Sequence, residues 1–207
     1  RFVQLRGVWF WRNRLRRVKS LSLLGFMALA AAAVHGQPTN GAVYWSTNPQ
    51  LDCTSLGESS PVPITNSSGT TIGYSCYVSG TFVWLAAGGG WGTSIRVAAP
   101  ASGAVGVDYS FYDAKGSNLK LDTTFGSGGS HASGNDVNFA LKANQPTEVD
   151  LLGATSNAPS YGTTATGSVY ASFYCPDADT CNNVLPQLLY SFLPTEPWSL
   201  SVPIAWD

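Results

Sequence analysis

AVGVDYSFYD, residues 104–113, decides the fold. Val105, Val107, Tyr109 and Phe111 share one parity; Gly106, Asp108, Ser110 and Tyr112 share the other. Side chains of a strand point alternately to its two faces, so this stretch predicts a half-buried β-strand. The same period recurs outward in both directions. Lys115-Gly116 supplies a turn, and Asn118–Thr124 follows with Leu119 and Leu121 inward. Val137, Phe139 and Leu141 repeat the pattern, then Val149 and Leu151 alternating with Glu148 and Asp150, then Val169, Ala171 and Phe173. Upstream, Ile95 and Val97 mark a strand. Tyr74, Cys76 and Val78, followed by Phe82, Trp84 and Ala86, predict a strand pair punctuated by Gly80.

After residue 36 no stretch carries a helical period. The best candidate, Asn183–Phe192, contains Pro186, which removes a donor and clashes inside a helix, so a strand or irregular segment is expected there. Composition agrees. Charged residues are 11% of the 207, against ~25% in an ordinary soluble domain. With 22 Gly and 12 Pro the chain is no coiled coil or helical bundle, and 44% hydrophobic residues are too many for disorder. Roughly eight to ten strands separated by Gly, Ser, Asn and Pro predict an all-β, antiparallel β-sandwich. The aromatic side chains supply its core mass.

Charge is divided along the chain. Arg1, Arg6, Arg12, Arg14, Arg16, Arg17 and Lys19 precede any acid; from Gln37 onward Arg96, Lys115, Lys120 and Lys142 face twelve acidic residues, a net of −8. The basic segment runs into LSLLGFMALAAAAV, 14 almost wholly apolar residues at 21–34. That is short of the ~20 needed to span a bilayer. A basic start, a short apolar run and small residues at its exit predict a secretory signal-peptide helix over residues 1–36, cleaved after Gly36 or after Ala33. An uncleaved N-terminal anchor is the rival reading. Residues 1–17 carry Trp9, Phe10 and Trp11 ahead of most of the arginines. They read as upstream translation if Val18 is the true start. The remainder divides at Gly88-Gly89-Gly90 into an N-terminal β elaboration, 37–90, and the main sandwich, 91–207.

Four cysteines, Cys53, Cys76, Cys175 and Cys181, all follow the leader. An even number in an exported chain predicts two disulfides, and proximity favours Cys53–Cys76 and Cys175–Cys181 among the three pairings. Zinc is disfavoured, because no CxxC pair exists and only His131 lies beyond the leader.

Residues 92–152 resemble the immunoglobulin-like modules of bacterial surface and secreted proteins, including the CARDB type. The resemblance rests on Phe111-Tyr112-Asp113-Ala114-Lys115-Gly116, on Leu141 to Val149, and on the order of strands around them. Ala99-Pro100 in place of an Asn-rich turn and the Gly/Ser loop 126–135 depart from the pattern. The resemblance implies an immunoglobulin-like sandwich with a surface-binding habit, and it carries over no catalytic residues.

Little points to catalysis. His131 stands alone in a Gly/Ser loop, and no G-x-S-x-G elbow exists. Asp108, Asp113, Asp122, Glu148 and Asp150 are the carboxylates available to a small hydrolase, but most fall on polar strand positions or at turns, where solvation explains them. Asp177 and Asp179 are calcium candidates within one stapled loop; turn formation accounts for the same residues. No metal and no cofactor are expected. Four basic residues against twelve acids exclude a phosphate-tracking nucleic-acid surface. Trp91, after the glycine run, and Trp198, beside Pro197, are candidate ligand-binding residues, able to stack on sugars if exposed. The expectation is a secreted or cell-surface, non-catalytic interaction or adhesion protein. Its partner would be an extracellular protein or polysaccharide, with no transmembrane span beyond the leader. A carbohydrate-binding module using exposed Trp is the first alternative and a small extracellular hydrolase the second.

Overall fold

The computed structural model describes residues 42–58, 60–125, 131–154, 164–192 and 199–207. The expected signal-peptide helix, with the Val18 start and the cleavage site, lies outside them. After a 3-10 turn at Thr54–Leu56, β1 (Val62–Thr65) leads to the long β2 (Thr71–Gly88), which returns as β3 (Trp91–Ala98). β4 (Val105–Asp113), β5 (Leu121–Phe125), β6 (His131–Gly134), β7 (Asp136–Leu141), β8 (Pro146–Ala154) and β9 (Thr164–Cys175) follow. A short helix, α1 (Ala178–Asn182), precedes β10 (Leu185–Phe192), β11 (Ser199–Pro203) and β12 (Ala205–Trp206).

Every strand pairing is antiparallel. One ladder runs β2–β9–β4–β7, with β1 and β12 on the far side of β2; the other runs β6–β5–β8–β3–β10–β11. Among the described residues they join by strand pairing only where Gly88 pairs Trp91 across the β2–β3 turn. Gly88, Gly89 and Gly90 make that turn with φ of 77°, 60° and 94°, a left-handed region that disfavours side chains. The glycine run is thus the hinge between ladders. The segment before it includes β2, which pairs β9 from Cys76 to Gly88 and sits inside the sheet.

The alternation read at residues 104–113 holds. Val105, Val107, Tyr109 and Phe111 are buried, and they pack with Val169, Ala171 and Phe173 of the same ladder and with Ile95, Val97, Val149, Leu151 and Leu188 of the other. The sheet therefore closes over one shared core. At one side Phe125 of β5 meets Phe139 of β7, ring centroids 5.2 Å apart, where the ends of the two ladders approach. The protein is nearly all antiparallel β, in a near-closed sheet.

Two details differ from the sequence reading. The strand expected over Asn118–Thr124 is divided: Asn118 bridges back to Tyr112 of β4, and β5 starts at Leu121 to pair with β8. The chain changes ladders between them. The pair expected around Gly80 is a single strand. Pro186, for its part, sits near the start of β10, opposite Val97 of β3 and one residue before the β10–β11 pairing begins at Gln187↔Pro203.

Both expected disulfides are present, Cys53–Cys76 and Cys175–Cys181, and no described cysteine is free. Cys76 pairs Cys175 in the β2–β9 register, so the two bridges lie side by side. Such bonds are compatible with an extracellular compartment. Among the described residues no helix is long and apolar enough to cross a membrane.

Candidate functional site

The most prominent departure from regular pairing is in β2. Phe82 pairs Val169 and Leu85 pairs Gly167, so Val83 and Trp84 together stand opposite Ser168 alone. This is a β-bulge, and an extra residue reverses the inside–outside parity beyond it. Phe82, Leu85 and Ala87 are buried, whereas Val83 is 69% exposed and Trp84 42%. Strict alternation places Phe82, Trp84 and Ala86 inward; Phe82 and Ala86 are buried, and only Trp84 stands out, at the bulge.

Trp84 is exposed but held. Its ring meets Trp91 edge-on, centroids 5.4 Å apart at 83°, and Tyr190 at 4.9 Å and 50°. Trp91 and Tyr190 are themselves perpendicular at 6.3 Å. The Tyr190 hydroxyl donates to the Trp84 carbonyl, and the Thr93 hydroxyl to the Ala86 carbonyl, so the backbone at and just after Trp84 is tied to buried neighbours. Burial around Tyr190 raises its phenol above the usual range, keeping it a donor. Leu200, 52% exposed, pairs with Tyr190 on β11 beside this cluster.

A second indole stands on β12, beside the same strand. β12 pairs β2 through Ala205↔Thr81 and Trp206↔Gly80. The approach depends on Gly80: a Cβ there would lie 2.6 Å from the Ala205 carbonyl oxygen and 2.9 Å from Ile204. Asp207 fastens the end, its N–H donating to Ser79 O at 3.1 Å and its carboxylate accepting from Ser79 Oγ at 2.9 Å. Trp206 packs edge-on against buried Phe173, centroids 5.8 Å apart, and is 49% exposed. Trp84 thus rests on rings of β3 and β10, and Trp206 on Phe173 of β9.

Of the tryptophans singled out by sequence, Trp91 is half-buried against the core and buttresses Trp84. Trp198 lies outside the described residues, as does the side chain of His131, whose backbone pairs Thr124 in β6. Asp177 is the N-cap of α1, accepting from the Thr180 N–H at 2.7 Å, and Asp179 accepts from Asn183 Nδ2. Among the described residues no group of three or more His, Cys, Asp or Glu is placed to hold a metal.

The carboxylates divide by role. Asp113 organises the turn after β4, accepting from the N–H groups of Lys115 at 2.8 Å and Ser117 at 2.9 Å. Glu148 and Asp150 share a face of β8. Glu148 accepts from Ser94 Oγ at 2.6 Å and pairs Arg96 Nε at 2.9 Å, and the Ser94 bond leads in lowering its pKa. Asp150 is raised, first by burial and then by the Glu148 charge. An open depression of about 470 Å³ beside them is lined by Arg96, Glu148, Pro146, Leu185 and Gln187 among others. Asp108, on the polar face of β4 opposite Asn138 and Ser172, is pushed up to about 6 by burial and then by Asp136. Its Oδ1 is sealed with no hydrogen-bond partner.

The signal that could have found the exposed Trp84 was weak. Val83-Trp84-Leu85 is three apolar residues in a row, which no alternating strand can bury on one face. Comparison with protein-family models, with curated proteins and with solved structures gives no match.

Proposed function

We propose that this chain is an exported, non-catalytic interaction protein, an immunoglobulin-like β-sandwich of the kind its residues 92–152 resemble. It binds an extracellular protein or polysaccharide at the cell surface or beyond it. The observation that carries the reading is a pair of partly exposed indoles, Trp84 at 42% and Trp206 at 49%, each held by ring contact with a buried aromatic, Tyr190 and Phe173. Exposed apolar rings that are also rigid suit recognition, because little side-chain entropy is lost on contact. Two core-facing ladders support the sandwich, and the basic–apolar leader and paired cysteines support export. The structural duties of Asp113, Glu148 and Asp177 support a role without chemistry.

The test is retention of the purified protein on the insoluble extracellular material of its secreting host. Wild type is expected to be retained and W84A/W206A to lose about tenfold in affinity, as for central aromatic anchors. Equal retention of the two proteins would show that neither indole anchors binding.

A further inference from the structure

We infer that Asn66 is an N-glycan acceptor, modified at its amide nitrogen as the chain passes through the secretory route. This goes beyond the binding reading and rests only on its export clause.

The sequence supplies the acceptor tripeptide Asn66-Ser67-Ser68. An asparagine followed two places on by a hydroxyl residue, with no proline between, is what an oligosaccharide transferase accepts. No other asparagine of the chain is followed two places on by Ser or Thr. Such a tripeptide also arises by chance, so its place in the fold decides whether it can react.

Three observations suit this one to the reaction. First, it forms the tip of the β1–β2 hairpin. Residues 65–72 are all exposed, and Gly69 closes the turn with φ of 79°. A transferase has to close around its acceptor, and a protruding turn admits that approach.

Second, the Asn66 amide is held through its oxygen. Oδ1 accepts from the Ser68 N–H at 3.1 Å, the Ser68 hydroxyl at 2.6 Å and the Thr70 N–H at 2.9 Å. Among the described residues Nδ2 donates to nothing. A sugar on Nδ2 therefore breaks no bond of the turn.

Third, the hydroxyl that the tripeptide requires already lies against the amide. Its donation to Oδ1 polarises the amide toward oxygen, which eases loss of a proton from Nδ2.

The step balances. Nδ2 attacks C1 of the first sugar of a lipid-diphosphate-linked oligosaccharide. The N–C1 bond forms, the bond from C1 to the diphosphate oxygen breaks, and the lipid diphosphate leaves with the electron pair. One Nδ2 proton is released, and nothing is oxidised or reduced. The placement has a consequence for the fold. Among the described residues β1 pairs β2 alone, so its other edge is open. A bulky, hydrated glycan at its end shields an edge that would otherwise invite pairing with a second chain.

The test is mass spectrometry of the protein recovered from its secreting host, before and after treatment with peptide N-glycosidase. Wild type is expected to exceed its peptide mass by whole hexose and N-acetylhexosamine units. The enzyme should remove that excess and leave a carboxylate in place of the amide at position 66, which peptide mapping locates. N66Q and S68A should lose the excess completely. S68T, which keeps the hydroxyl, should retain it, so loss of the acceptor pattern is separated from disturbance of the turn.

A bare Asn66 in wild type would overturn the inference, as would an excess mass that persists in N66Q. If the bare chain still begins near Gln37 and carries both bridges, the modification fails while export stands. If it retains the leader with free thiols, both fail.

Discussion

Asp108 illustrates how far one residue can depart from its place in a pattern. In sequence it is a polar residue on the outward parity of β4, where solvation would suffice. In the structure its Oδ1 is sealed without a partner, and burial followed by the Asp136 charge pushes its carboxyl from 3.8 up to about 6. A raised acid pKa means that the folded state holds its proton where the unfolded chain has released it. Between the two values the native protein therefore binds more protons, and stability falls as pH rises from about 4 to 6. Above 6 the penalty is fully present. A two-unit displacement corresponds to about 3 kcal/mol, reduced by solvent screening to about 1–2 kcal/mol at this half-buried position. D108N is isosteric and cannot ionise. It is expected to be more stable than wild type by that amount at pH 7.5 and to lose the advantage near pH 3.5. Denaturant titrations at the two pH values measure it; an equal gain at both would show that ionisation is not the cause.

At the scale of elements, β2 carries the argument. Local period two read from Val105 to Phe111 predicted the buried face of β4 residue by residue, because nothing interrupts its ladders with β7 and β9. The same reasoning misplaced Trp84. A bulge is a property of two strands, here of Val83 and Trp84 set against Ser168, and a single strand's sequence does not reveal its partner's count. Gly80 was legible as special but not for its reason. It does not end a strand; it lets β12 approach. G80A would place its Cβ 2.6 Å from the Ala205 carbonyl oxygen, backbone that cannot rotate away. The expected result is displacement of β12 at a cost of about 1–3 kcal/mol, the range for an overpacked site. Faster exchange of the Asp207 amide, now bonded to Ser79 O, and a red-shifted Trp206 emission would report it. Unchanged exchange and emission would mean that β12 is held by Trp206 on Phe173, not by its close approach to β2.

At the scale of the molecule, the two ladders share a core, yet among the described residues the only strand pairing between them is at Gly88↔Trp91, so cross-links within one ladder matter. Both disulfides meet β2 and β9 at Cys76 and Cys175, which face each other in register. Cysteine count and spacing made this pairing readable in advance, whereas their adjacency emerges only from the β2–β9 register. In the chain-entropy account a bridge stabilises by the loop it closes. The 23-residue separation of Cys53–Cys76 then contributes about 3 kcal/mol and the 6-residue separation of Cys175–Cys181 about 2 kcal/mol. C53S/C76S should thus be the more destabilised double variant in a urea titration. Because the bridges adjoin, removing both should not equal the sum of the separate losses. The reverse order of stabilities would mean that α1, whose Cys181 is buried in the core, depends on its bridge for packing more than the unfolded chain depends on it for restraint. The same bonds give the first check on export. Protein recovered from the secreting host should begin near Gln37 and gain about four hydrogens on reduction, two per bridge. A mass that retains residues 18–36 with free thiols would remove the extracellular assignment, because both bridges need an oxidising compartment to persist.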